Sequence, residues 1–288
     1  MAPLRDPTPE RCKPRWIASL LYIPLLYAGG WLLALPLAVL APQLPLEQRS
    51  LIGTAAAFAL LLLTLPWRLR LVWGEPHPWQ ALGLARPAPI AGRAFLRGLI
   101  KALLLLLVVA MVMLASGHAR WSGNLNGGVL LNGLALLLGV GLAEELLFRS
   151  WLWGELALEL GGNPRADQRA MVLQAVLFSL VHTRFNLGPL ASVGLLGGLG
   201  MLGLALALQR RADGGALHGA IGLHGGLVGG WFVLQNGLLT IAPGTPAWIQ
   251  GPGGAFANPL GGLIGWCALA VLLTARRRWW RPFSAAHP

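Results

Sequence analysis

"GGVLLNGLALLLGVGLAEELLFRS", residues 127–150, starts as an uncharged apolar run and ends on two adjacent carboxylates, Glu144 and Glu145, with Arg149 close behind. Crossing a bilayer core takes roughly 20 apolar residues at 1.5 Å of rise each, so the stretch reads as a membrane-spanning helix. Charge is expensive in hydrocarbon, and each such group needs a partner or a role. Glu145 and Arg149 are spaced to share a helix face, whereas Glu144 is turned about 100° away, toward the side of Phe148. One carboxylate can therefore pair with the arginine while the other points elsewhere. A carboxylate in a partly dry pocket holds its proton more tightly, which suits a general base near neutral pH. A charge cluster at a helix end, on the membrane boundary, would explain the same residues without chemistry.

The rest of the chain has the same character. Its 288 residues are 56% hydrophobic and 11% charged, against about 25% charged in a soluble domain. Mean hydropathy is +0.64, and glycine, common in transmembrane helices, occurs 39 times. Apolar runs fall at about 16–41, 50–67, 95–116, 124–150, 168–183, 188–209, 215–236 and 257–275. The expected fold is all-α, a polytopic bundle of about eight transmembrane helices. One transmembrane domain is expected over 16–275, between a cytoplasmic N-terminal tail, 1–15, and a basic cytoplasmic tail, 276–288. No cleaved signal peptide is expected, because the first run is span-length and lacks a small-residue cleavage site.

The basic residues set the orientation. Arg11, Lys13 and Arg15 precede the first run, and alternation then puts 67–101, 149–169, 210–214 and 276–288 on the same side. Those segments hold nearly all the arginines; the other side has Arg49, Arg120 and Arg184. Such a bias marks the arginine-rich side as cytoplasmic. It also accounts for the formal net charge of +12 without a nucleic-acid partner. The tail "RRRWWRPF", 276–283, suits anionic headgroups and the interface. Cys12 and Cys267 lie in different contexts, so neither a disulfide nor a cysteine metal site is expected.

Other polar residues give further expectations. From 151 a helix is expected to continue from the fourth span and to stop at the breaker Gly161-Gly162-Asn163-Pro164; Glu155 and Glu159, four apart on it, read as a solvated or headgroup-facing stripe. Gly222, Gly226 and Gly230, with Gly194 and Gly198 and with Gly261 and Gly265, have the small-residue spacing that lets helices approach closely. They predict tight packing among the last three spans. His182 closes the fifth run and His224 lies deep in the seventh, while His218 sits nearer a boundary. Two histidines on separate spans, together with the Glu pair, favour one shared site. Glutamate and two histidines could hold zinc with water in the fourth position, or work without metal. No HExxH, G-x-S-x-G or Walker pattern is present.

Glu144-Glu145-Leu146-Leu147-Phe148-Arg149, then Phe178-Ser179-Leu180-Val181-His182, then His224 within "AIGLHGGLVGG" together resemble the CPBP family of intramembrane proteases, which includes CAAX-type prenyl endopeptidases and bacteriocin-processing enzymes. The resemblance covers about 125–235 and departs at Val228, where members often carry Asn or Asp. It implies a membrane-embedded endopeptidase acting on membrane-associated or lipid-modified proteins and peptides, in a cavity open toward membrane and cytoplasm. It also implies Glu144 as the base that activates water, Glu145 and Arg149 as its supports, Phe178 and His182 near the water, and His224 as the oxyanion donor. Gln235, Asn236 or a backbone N–H near Gly225-Gly226 would then stand in for the missing amide. No cofactor is expected; zinc is the alternative. The whole chain also looks like the variant common in bacteria and cyanobacteria, which implies a bacterial inner (cytoplasmic) or cyanobacterial membrane. A non-catalytic scaffold or a proton-coupled transporter of the same fold is the competing reading. As drawn, the spans put Glu144 and His182 at different depths, so a shared site requires their boundaries to shift.

Overall fold

A computed structural model describes residues 16–253 and 257–275. The expected tails, with Cys12 in one and the basic cluster in the other, lie outside the described residues. The long helices are α1 (Trp16–Ala34), α2 (Leu46–Arg68), α3 (Ala88–Ala115), α4 (Gly127–Glu159), α5 (Pro164–Leu180), α6 (Pro189–Ala212), α7 (His218–Val233) and α8 (Leu263–Ala275). A two-stranded ribbon, β1 (Ala119–Trp121) against β2 (Leu239–Ile241), is antiparallel, with Arg120 opposite Thr240. The chain is an all-α, multi-pass membrane protein. Five stretches are long and apolar enough to cross a bilayer: Trp16–Leu40, Gln48–Trp73, Ala88–Ala115, Gly127–Glu159 and Pro189–Ala212. The other three helices are shorter.

The boundaries of the fourth and fifth helices build the site. Asn126 starts α4 by accepting a hydrogen bond from the Val129 N–H at 3.0 Å. The helix then runs through the charge cluster to Glu159, continuing as far as the glycine breaker, while α5 starts at Pro164 rather than 168. Over Glu145–Leu152 it widens into a π-helix, a form often found at functional positions. Gly161 and Gly162 reverse the chain with φ of 107° and 66°, and Asn163 caps α5 through the Ala166 N–H at 2.9 Å. Roughly 22 Å of helix separates Glu144 from the end of α4, and roughly 27 Å separates Pro164 from His182. The two residues therefore meet at one depth. His182 lies just past the last turn of α5.

Helix α7 is the axis of the bundle, and its glycines explain why. Gly222 and Gly226 face α3, where a Cβ on Gly222 would stand 2.2 Å from the Phe95 carbonyl oxygen. On the other side Gly225 and Gly229 face α4, with a Cβ on Gly229 2.2 Å from the Gly133 oxygen. The stripe thus clamps α7 between α3 and α4, and does not pack the last three spans together as expected. Gly194 and Gly198 do meet the late chain, against Gly261 and Leu260 ahead of α8. Gly229→Val should separate α4 from α7 at a cost of about 1–3 kcal/mol or more, seen as a lower unfolding temperature in detergent.

Glu155 overturns its expected place on a solvated stripe. It is 2% exposed and gathers the N-terminal hairpin onto α4. Arg68 Nε donates to its Oε1 at 3.0 Å, and Arg68 Nη2 and Ser19 Oγ donate to Oε2 at 3.1 and 2.8 Å. The indole N–H groups of Trp73 and Trp151 donate to Oε1 at 3.1 and 3.0 Å. Around this hub Leu61, Leu65, Leu69, Leu146 and Trp151 form a buried cluster. Arg68→Met would strand the carboxylate in the interior, which should cost about 3–5 kcal/mol. The double change Arg68→Met/Glu155→Leu should recover part of that loss in the same detergent unfolding measurement.

Candidate active site

Glu144, His182 and His224 converge. His182 Nε2 and His224 Nε2 each lie 3.7 Å from the same oxygen, Glu144 Oε2. That separation is too long for a direct hydrogen bond and short enough for one water to touch all three groups. The other ring nitrogens are anchored. His182 Nδ1 is 2.7 Å from the Phe178 carbonyl oxygen, to which it donates. His224 Nδ1 is 2.8 Å from Glu145 Oε1. With Nδ1 held in this way, each histidine turns Nε2 toward Glu144.

Beneath these three lies a closed floor. Glu145 and Arg149 are both 0% exposed and 3.0 Å apart. Arg149 Nη1 is close enough for a charge contact but is not aligned for a hydrogen bond. Glu145 therefore serves two cations or donors, Arg149 and His224, and Glu144 is left to the cavity. Phe178, fully buried, is the platform between them. The guanidinium of Arg149 sits 3.9 Å from its ring centroid, a cation–π contact. The His182 and His224 rings stand 4.8 and 5.8 Å from the same ring, and Phe148 meets it edge-on at 5.2 Å. All six residues singled out in the sequence thus belong to one constellation.

Above the floor is a cavity of about 330 Å³ lined by Glu144, His182, His224, Val228 and Gln235, among others. Gln235 lines it from the π-helical turn that follows α7, with its side-chain oxygen unpartnered. Asn236 does not line it; its amide donates to the Phe232 carbonyl oxygen at 2.9 Å. Gly225 and Gly226 sit inside α7, where backbone N–H groups are used by the helix itself. Of the three stand-ins considered for the missing amide, Gln235 is the one that faces the site. Arg184 and Asn258, which sequence reasoning missed, also line the cavity. The "NPL" at 258–260 was a usable signal, since Asn258 accepts from the Leu260 N–H at 3.1 Å and turns the chain into the cavity wall.

This arrangement agrees with one family description. Residues 126–229 match the family of type II CAAX prenyl endopeptidase Rce1-like proteins. The Rce1-like segment starts at the cap of α4 and ends one residue past Val228, so it takes in all six residues above. Residues 4–77 match a second family, a domain of unknown function named DUF8676, which covers the α1–α2 hairpin. No curated protein and no solved structure matches the chain. The Rce1-like family is a protease family, and the apolar helices make this chain a multi-pass membrane protein.

Glutamate and imidazole are donors that zinc accepts. Among the described residues no group of three His, Cys, Asp or Glu side chains is arranged to hold a metal ion. Glu145 is committed to Arg149 and His224. The geometry does not fit a closed metal centre, and no step below runs through one.

Proposed function

We propose that this chain is an intramembrane endopeptidase in which Glu144 activates water. The observation that carries the reading is the convergence of two imidazole nitrogens on one Glu144 oxygen, at 3.7 Å each, inside a membrane bundle. Water held by Glu144 and His182 attacks the scissile carbonyl carbon, and Glu144 takes the proton. The carbonyl oxygen becomes an oxyanion and accepts a hydrogen bond from His224 Nε2–H. Its Nδ1–H is held by Glu145, whose charge balances the imidazolium that this requires. As the tetrahedral intermediate collapses, the C–N bond breaks and Glu144 returns its proton to the leaving amine. Glu145, Arg149 and Phe178 are positioning residues; they hold His224 and the floor in place.

Substrates on this reading are proteins or peptides at a bacterial inner (cytoplasmic) or cyanobacterial membrane, including lipid-modified ones. Membrane fractions from cells expressing wild type or Glu144→Gln should differ in new protein termini, present with wild type alone. Identical termini in the two fractions would favour a scaffold or proton-coupled transporter built from the same residues. Metal analysis of active protein should find zinc well below one per chain, with excess chelator leaving cleavage unchanged. Stoichiometric zinc that is lost in His182→Ala would reverse the assignment.

A further inference from the structure

The direction in which the cavity opens is readable from its lining. On α4 the lining runs from Glu144 back through Val140 to Leu136; on α7 it runs from His224 forward through Val228 to Gln235. The two helices are antiparallel, since Gly141 meets Gly225 while Gly133 meets Gly229 and Val233. Both sets therefore climb toward the same end of the bundle. Arg184, just past α5, and Asn258, just before α8, complete the wall at that end. In the opposite direction the site is sealed by Glu145, Arg149 and Phe178, each 0% exposed.

The open end carries the β ribbon and residues 181–188, 242–253 and 257–258. Its basic residues are Arg120 and Arg184, with Arg49 in the first turn of α2. The sealed end holds Arg86, Arg93, Arg97, Arg165, Arg210 and Arg211. Some of these are tied to the fold, as Arg97 is to Asp213 at 2.7 Å, but their number still marks that end as cytoplasmic. An opening toward the cytoplasm, implied by the family resemblance, is thus the reverse of what the lining and the charges give together.

We infer that the cavity opens to the extracytoplasmic side of the membrane and takes its polypeptide from there. The inference rests on the peptidase reading for its substrate and on geometry and charge for its direction. The substrate class is an apolar polypeptide segment exposed at the extracytoplasmic leaflet, matched to walls such as Leu136, Leu199, Leu202 and Phe232. Such segments belong to secreted peptides in transit and to the outer flanks of membrane proteins. A cytoplasmic C-terminal tail would meet the sealed end.

Two measurements separate the direction from the chemistry. Single cysteines are placed in full-length protein carrying Cys12→Ser and Cys267→Ser. Phe185→Cys and Trp248→Cys, at positions 97% and 57% exposed, report the open end; His77→Cys reports the sealed end. A membrane-impermeant maleimide should label positions 185 and 248 in intact cells and position 77 only in inverted vesicles. Single-span reporters carrying one apolar segment on the outer or the inner flank should be cut at least tenfold more when it faces out. Labelling of positions 185 and 248 from the cytoplasmic side alone, or equal or greater cleavage of the inward reporter, overturns the inference. Outward labelling with neither reporter cut leaves the opening as inferred and removes the peptidase reading instead.

Discussion

Glu144→Gln should leave a folded protein that cleaves peptide roughly 10²–10⁴-fold more slowly, the usual worth of a positioned general base. The change keeps the shape of the side chain and removes its basicity. Glu144 faces the cavity with 28% of its side chain exposed, so a neutral amide there strands no buried partner. Unfolding temperature in detergent should therefore match wild type. Glu145→Gln makes the contrast. Glu145 is wholly buried between Arg149 and His224, and its loss leaves the arginine without its counter-charge. That variant should lose both activity and stability, by about 3–5 kcal/mol for the broken pair. A single-turnover assay beside thermal unfolding separates the two. If Glu144→Gln keeps a tenth or more of wild-type turnover, Glu144 is not the base.

The helices were legible because membrane spans declare themselves by length and apolarity, and every apolar run became a helix. The six site residues were legible because charged and aromatic groups stand out against leucine and glycine. What failed depended on distant partners. Glu155 and Glu159 look alike in sequence, yet one is buried by Arg68, Ser19 and two tryptophans. Nothing near Glu155 announces a partner 87 residues away. The glycine stripe on α7 announced close packing but not its partner, because small residues fit any neighbour. The start of α5 at Pro164 rather than 168 was hidden by its polar first turn, while α4 continues to the breaker at 161–164 as its sequence indicates. Its continuation to Glu159 is what brings Glu144 level with His182.

His224→Ala should cost roughly 10²–10³-fold in turnover, as the loss of one oxyanion donor does in other hydrolases. The reason lies in its setting. Nδ1 is pinned by Glu145 at 2.8 Å, the ring is 3% exposed, and Nε2 faces the cavity beside Glu144. A donor so fixed needs little reorganisation when negative charge develops on the substrate. Val228, one turn along the same face, cannot add a second donor. Gln235 can, since it lines the same cavity about three turns along and its side-chain oxygen has no hydrogen-bond partner that would hold the amide elsewhere. Gln235→Leu should therefore lower turnover by about tenfold in wild type, and by much less once His224→Ala has removed the first donor. Val228→Asn should keep or raise activity and should rescue part of the loss in Gln235→Leu, at a cost of about 1 kcal/mol for an amide in a membrane helix. Full activity in His224→Ala would end the oxyanion role and with it any meaning for Val228. An inactive wild type revived by Val228→Asn would show a chain that kept the protease bundle and lost its chemistry.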